Sequence, residues 1–108
     1  MKILDTLESI DKFIIENKIV MLYFSSQHCG VCVGLLPKIK ELLKNYSKIA
    51  FAKVEIDEVQ LAVGKYSIFT VPTIIMFIEG KEIIRETRFI SIVELQRKIQ
   101  RFYNLIQF

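Results

Sequence analysis

An uninterrupted apolar run, Ile19–Phe24, constrains the fold of this chain more than any other feature of its sequence. The run has the length of a strand, and it lacks the polar alternation of a strand with one face in water. Such runs are typical of central strands that are buried on both faces. The sheet around it must then be covered on both sides, which predicts a layered α/β fold.

Helical and extended patterns alternate along the rest of the chain. Residues 2–5 are consistent with a short edge strand, and Thr6 or Ser9 is the expected N-cap of the first helix. The other predicted elements are, in order, a long helix after Gly30 that Pro37 is expected to kink, a strand at Ile49–Ile56, a short helix capped by Asp57, strands at Thr73–Ile78 and Glu82–Thr87, and a last helix capped by Ser91. The last two strands form a hairpin, so we expect a mixed central sheet in a three-layer α/β/α sandwich.

Composition excludes several classes of protein. With 108 residues the chain fits a single domain, residues 1–108. Its 52% hydrophobic and 25% charged residues are unlike those of a disordered chain. A net charge of +3 without a dense basic face argues against nucleic-acid binding. No apolar run approaches the roughly 20 residues that span a bilayer, so no membrane association is expected.

The first residues are unlike a secretory leader, because Asp5, Glu8 and Asp11 interrupt any apolar segment there. We therefore expect a cytoplasmic protein. In that reducing compartment a close pair of cysteines is typically catalytic or metal-binding rather than a structural disulfide.

Two cysteines form the strongest chemical signal, Cys29-Gly30-Val31-Cys32, directly between the apolar strand and the long helix. A thiolate, not a thiol, attacks disulfides, and the free amides at a helix N-terminus favour a negative charge. We expect Cys29 to become the thiolate and Cys32, about one turn further, to resolve the mixed disulfide that Cys29 forms. Gly30 is expected to permit the tight start of the helix.

The alternative for such a pair is half of a zinc site. Structural zinc needs four ligands, and this chain offers two cysteines and one histidine, His28, whose geometry beside Cys29 would be strained. A metal site would therefore need a second chain, and we predict no metal within one copy.

A second signal is Val71-Pro72-Thr73, just before a predicted strand. Proline is tolerated at the head of a strand. Spacing leaves two possibilities open: an ordinary trans turn, or a cis proline packed against the cysteines that leaves the backbone of Val71 free to pair with an extended substrate.

Seven landmarks occur in a fixed order: Ile19–Phe24, the cysteine pair at 29–32, Pro37, Lys53–Asp57, Lys65–Ile68, Val71–Thr73 and Phe77–Gly80. In this order they resemble the thioredoxin family over nearly the whole chain. The resemblance implies the thioredoxin fold, a cis Pro72, and Cys29 and Cys32 as attacking and resolving thiols. It also implies that Gly30, Val31, Val71 and Pro72 contact the substrate.

The resemblance also implies an activity and a source of electrons. A member of this family reduces disulfides in protein substrates, serves electron transport and cell redox homeostasis, and uses no bound cofactor. It is recharged by a flavin-dependent thioredoxin reductase. We expect a monomer.

The chain departs from the family pattern beside the cysteines. Thioredoxins typically carry tryptophan before the first cysteine and proline at the third motif position, where this chain has His28 and Val31. Without the motif proline the loop is less constrained, and we expect this to shift the redox balance toward the oxidising side. Histidine titrates near neutral pH, so His28 is either a partial positive charge that favours the Cys29 thiolate or simply an exposed side chain.

A further departure lies beneath the cysteines, where the family's buried acid aligns with Tyr23. A tyrosine, with a reference pKa of ~10, is no base near neutral pH. Lys53 matches the lysine usually beside that acid and is expected to lack its partner. Because the acid itself is missing, deprotonation of Cys32 should be slower, or should rely on water or on the attacking thiolate. Arg88 replaces a usual glycine and is expected to alter which partners dock.

Two other functions remain open from the sequence. A protein-interaction module or redox sensor with weak turnover would use a surface around Val31, Val71 and Phe89, and the missing acid favours it. An oxidase or isomerase of the same fold would require a leader sequence that has been removed.

Overall fold

Five strands form one mixed sheet at the centre of residues 1–106, the part of the chain that this computed structural model describes. The elements are β1 Lys2–Ile3, α1 Leu7–Glu16, β2 Ile19–Ser25, α2 Gly30–Leu43, β3 Ile49–Glu55, α3 Gln60–Lys65, β4 Thr73–Ile78, β5 Lys81–Thr87 and α4 Ile92–Tyr103. The strand order is β1-β3-β2-β4-β5; β1, β3 and β2 are parallel, and β4 is antiparallel to both β2 and β5. The predicted mixed sheet is confirmed.

Strand β2 is buried along its whole length, and its alternate side chains enter two separate cores. Met21 and Tyr23 pack into the core beneath α2 and α4. Leu22 and Phe24 pack into the core beneath α1 and α3. Helices on both faces of the sheet therefore explain why β2 carries no polar alternation, and the three layers are confirmed.

Local capping agrees with the sequence at both ends of the chain. Thr6 caps α1, and its side chain and that of Ser9 each accept from the other's backbone amide, a reciprocal capping box. The hydroxyl of Ser91 accepts from the amide of Glu94 at 3.2 Å at the start of α4.

The predicted cap of the short helix is wrong. Helix α3 begins at Gln60 with Val59 as N-cap and no side-chain cap, whereas Asp57 lies outside the helix. The Asp57 carboxylate accepts hydrogen bonds from Ser26 and Gln27, on the loop that leads to Cys29. Donors brought near by the parallel pairing of β2 and β3 have replaced the local helix amides as its partners.

The β4–β5 hairpin turns through two residues with positive φ, Glu79 at 51° and Gly80 at 81°. This backbone matches the turn type that suits the twist of a hairpin. Lys81 already pairs with Ile78, so β5 begins one residue earlier than expected. Pro37 lies inside the continuous helix α2, and a bend there stays a prediction. No helix in the described part of the chain is both long and apolar enough to cross a membrane.

Candidate active site

A disulfide joins Cys29 and Cys32 at the N-terminus of α2, with Cα atoms 5.3 Å apart. Cys29 is the extended N-cap residue, and the backbone amide of Cys32 donates to its sulfur at 3.2 Å. Cys29 is partly exposed, whereas Cys32 is 2% exposed. The helix amide therefore points at the sulfur of the more accessible cysteine, an arrangement that favours negative charge on that sulfur.

The loop before Cys29 is anchored to the loop after β3. Asp57 accepts from the amide of Gln27 at 3.1 Å and from the hydroxyl of Ser26 at 2.8 Å. The Gln27 amide, then the Ser26 hydroxyl, hold the pKa of the Asp57 carboxyl below its usual value, and positive charge on His28 acts in the same direction. His28 itself is exposed, and its effect on the Cys29 thiolate stays a prediction.

Gly30 is the first residue of α2, but the backbone does not require a glycine there. A Cβ added at Gly30 would meet no other atom within 4 Å, and its φ lies outside the left-handed region. Glycine is compatible with this start of the helix, and the backbone there would also accept a residue with a Cβ. Beside it Val31 is 65% exposed, so this side of the cysteine pair is open.

The Val71–Pro72 peptide bond is cis, which decides between the two possibilities that spacing left open. The carbonyl of Pro72 accepts from the amide of Arg88 at 3.0 Å. Val71 and Cys29 both pack against the core that contains Cys32. Within residues 1–106, the backbone N–H and C=O of Val71 pair with no other backbone group.

Arg88 occupies a backbone conformation that explains why glycine is usual at its position. Its φ is 61°, in the left-handed region where side chains are disfavoured. The next residue, Phe89, is 98% exposed and lines a cleft together with Val31. The effect of Arg88 on docking stays a prediction.

Tyr23 lies fully buried beneath the cysteine pair. Its hydroxyl donates to the backbone carbonyl of Cys32 at 2.7 Å. Burial, and then the nearby Glu55 carboxylate, raise the pKa of Tyr23 to about 12. Tyr23 therefore stays protonated near neutral pH, as expected, and its one proton is held by the Cys32 backbone.

Lys53 lacks the family's acid, because Tyr23 stands at that position, but Glu55 is its acidic partner instead. Its Nζ lies 2.8 Å from Oε1 of Glu55, two residues along the same strand and therefore on the same face. The hydroxyl of Ser25, the cross-strand neighbour of Glu55, donates to that same oxygen at 2.7 Å.

Sequence reasoning assigned no role to Glu55. Its second oxygen, Oε2, is buried, and no donor in residues 1–106 reaches it. Leaving a buried acceptor without a donor costs roughly 1–3 kcal/mol, so such a group calls for an explanation. The sequence does show that Lys53 and Glu55 lie two residues apart on one strand and therefore on the same face of the sheet. Whether that face is the one beneath the cysteines depends on the register of β3 against β2, which the sequence does not give.

The described residues hold no group of three or more His, Cys, Asp or Glu side chains that could bind a metal ion. A site shared between two chains was the only metal alternative that the sequence left open.

The thioredoxin family model matches residues 2–101 of the sequence, nearly the whole chain. The chain belongs to the thioredoxin family. It is 36% identical over 104 residues to the thioredoxin-like protein YdfQ of Bacillus subtilis, covering 96% of this chain and 93% of that protein.

Solved structures agree with this assignment. The thioredoxin of Fasciola hepatica superposes with a TM-score of 0.85 at 34% identity, covering 94% of this chain and 98% of that one. Plasmodium falciparum thioredoxin gives a TM-score of 0.86 at 27% identity, covering 94% and 99%. The family and the close cysteine pair together make this protein a thiol–disulfide oxidoreductase, an enzyme that reduces protein disulfides.

Proposed function

We propose that Cys29 is the attacking thiol and Cys32 the resolving thiol of a reductase that acts on protein disulfides. The observation that carries the proposal is the asymmetry of the pair: Cys29 is partly exposed and its sulfur accepts a helix amide, whereas Cys32 is buried. A substrate sulfur can approach the first residue, and the second is held within reach of the intermediate.

The reaction proceeds in two exchanges. The Cys29 thiolate attacks one sulfur of the substrate disulfide; that S–S bond breaks, and the departing substrate sulfur takes a proton. The Cys32 thiol then loses its proton, and its sulfur attacks Cys29. The mixed disulfide breaks and the second substrate sulfur leaves as a thiolate, which takes a proton from water, so the substrate becomes a dithiol. The enzyme retains the Cys29–Cys32 disulfide.

The surface around Cys29 suits an extended substrate segment. Val31 and Phe89 are exposed apolar side chains beside the pair, and the backbone of Val71 is available to pair with such a segment. Gly30 leaves the approach to the sulfur open, and the cis Pro72 positions Val71 against the cysteine core.

Each turnover oxidises the enzyme by two electrons, so a reductant must restore the dithiol. We assign this role to a flavin-dependent thioredoxin reductase, which places the chain in electron transport and cell redox homeostasis. A monomeric domain of residues 1–108 in the cytoplasm fits this role. We also propose that Val31 and His28 shift the redox balance toward the oxidising side, since the loop lacks the usual motif proline.

A binding module or redox sensor is the second candidate. The observation that favours it is Tyr23, which is buried and protonated at the position of the family's acid. Such a protein would bind partners on the Val31–Phe89 surface and turn over slowly.

The test is to trap the intermediate. A Cys32→Ser variant should form a covalent adduct with a disulfide-containing protein such as insulin, which reducing agent releases, while a Cys29→Ser variant should form none. Equal trapping by both variants would contradict the assigned roles. Trapping by neither, with slow insulin reduction by the intact protein, would favour the binding module.

A further inference from the structure

We infer that Glu55 is the proton acceptor for the Cys32 thiol, acting through water in the cleft that Glu55 and Cys32 share. The inference rests on the proposed roles of the two cysteines and assigns the proton that the resolving step must remove. The observation behind it is Oε2 of Glu55, a buried carboxylate oxygen that no donor in residues 1–106 satisfies.

Glu55 and Cys32 line the same cleft, which has a volume of about 420 Å³. The cleft lies between the first turns of α2 and the C-terminal ends of β2 and β3. The side chain of Glu55 is only 12% exposed, and Cys32 is 2% exposed. The cleft is large enough to hold water molecules, and we place the connecting water there, with the Glu55 side chain turned so that its buried Oε2 reaches that water.

The hydrogen bonds of Glu55 orient it for this role. Lys53 and Ser25 both bind Oε1, which fixes one end of the carboxylate. Oε2 remains without a donor among the described residues. The lone pairs of Oε2 are therefore available to accept a proton.

The other polar groups around the cleft cannot take this proton. Lys53 and Lys40 are cationic donors, and Ser25 already donates to Glu55. Tyr23 keeps its own proton and donates it to the Cys32 carbonyl. Among the described residues that line the cleft, Glu55 is the only carboxylate.

In the resolving step the Cys32 proton passes through water to Oε2 of Glu55 as the Cys32 sulfur attacks Cys29. The bond between Cys29 and the substrate sulfur breaks, and the substrate leaves as a thiolate. When an external dithiol later reduces the enzyme and attacks Cys29, Glu55 relays a proton through the same water to the departing Cys32 sulfur.

The two steps can be timed separately with 5,5′-dithiobis(2-nitrobenzoate). Attack by Cys29 on this reagent releases one coloured thiolate, and attack by Cys32 on the resulting mixed disulfide releases the second. In Glu55→Gln we expect the second release to slow by at least about tenfold near neutral pH, while the first stays within about twofold. The second release should also become proportional to hydroxide concentration, because only already ionised Cys32 would react.

Glu41→Gln is the matched control, since Glu41 is exposed on α2 and its carboxylate pairs with Lys44, away from the cleft. Glu55→Asp should restore part of the second rate. If loss of the charge beside Lys53 unfolds Glu55→Gln, the neutral pair Lys53→Gln/Glu55→Gln carries the same expectation.

An unchanged second release with an unchanged pH profile would overturn the role of Glu55. Equal slowing of both releases, or slowing in Glu41→Gln as well, would also overturn it. Absence of the first release in the unaltered protein would instead contradict the proposed attack by Cys29.

Discussion

At the scale of single residues, Tyr23 joins the sheet to the active-site helix. Its buried hydroxyl donates to the carbonyl of Cys32, the second cysteine of the pair. A tyrosine at this position replaces a charge with a hydrogen bond that holds α2 to β2. Tyr23 therefore has a structural role and keeps its own proton near neutral pH.

The alkaline stability of the protein should report the burial of the Tyr23 hydroxyl beside Glu55. Burial, then the Glu55 charge, raise the pKa of Tyr23 from 10.0 to about 12, so the folded state keeps a proton that the unfolded chain loses. The resulting stabilisation is present below pH 10 and is lost as pH rises through about 12.

Urea denaturation between neutral and alkaline pH checks this prediction. Tyr23→Phe should cost about 1 kcal/mol at pH 7 and show a shallower alkaline fall than the parent. Tyr46→Phe is the control, because the Tyr46 hydroxyl makes only a 3.5 Å contact with Gln100. A Tyr23→Phe protein with the parent's alkaline profile would contradict the argument.

Arg88 should be a site where glycine stabilises the fold. Its φ of 61° lies in the left-handed region, so Arg88→Gly should raise the free energy of unfolding by up to roughly 1 kcal/mol. Arg101→Gly, within α4, should lower it by a similar amount. Thermal unfolding of both variants tests this, and destabilisation by Arg88→Gly would count against it.

At the scale of elements, the sequence predicts those features that depend on neighbouring residues alone, and it fails where residues from distant strands supply the partners. The β2 run and the caps at Thr6 and Ser91 depend on neighbours in sequence. Asp57 resembled a local cap, but its partners Ser26 and Gln27 lie 31 and 30 residues away. The face of the sheet on which Glu55 lies likewise depends on the β2–β3 register, which the pattern of apolar residues does not determine.

Asp57 should stabilise the folded protein most above acidic pH. Its pKa is lowered chiefly by the Gln27 amide, so its stabilisation is present above the unfolded value of about 3.9 and is lost as pH falls through the lower folded value. Asp57→Asn should be less stable than the parent at pH 7, and the difference should shrink at strongly acidic pH. Asp5→Asn is the exposed control; a gap between Asp57→Asn and the parent that is constant with pH would refute the prediction.

At the scale of the whole molecule, one face combines the reactive cysteine with exposed apolar side chains. Val31 and Phe89 are 65% and 98% exposed beside the pair. Because the sheet holds Val71 near the same core, a protein substrate can contact side chains and backbone together. In the function that we propose, this face supplies both the attacking thiol and the surface that an extended substrate contacts.

Removing one exposed ring should separate docking from chemistry. Phe89→Ala should raise the KM for insulin reduction several-fold, while the first release from a small aromatic disulfide stays unchanged. Ile15→Ala, on the exposed face of α1, should change neither. A loss with the small disulfide as large as with insulin would show that Phe89 does not act through docking.

The most direct test of the central claim is the equilibrium of Cys29 and Cys32 in graded glutathione buffers, read by thiol alkylation. We expect one reversible two-electron transition in which both cysteines change together, displaced toward the oxidising side relative to a Val31→Pro variant. The absence of any reversible disulfide between Cys29 and Cys32 would contradict the assignment of this pair as the redox centre.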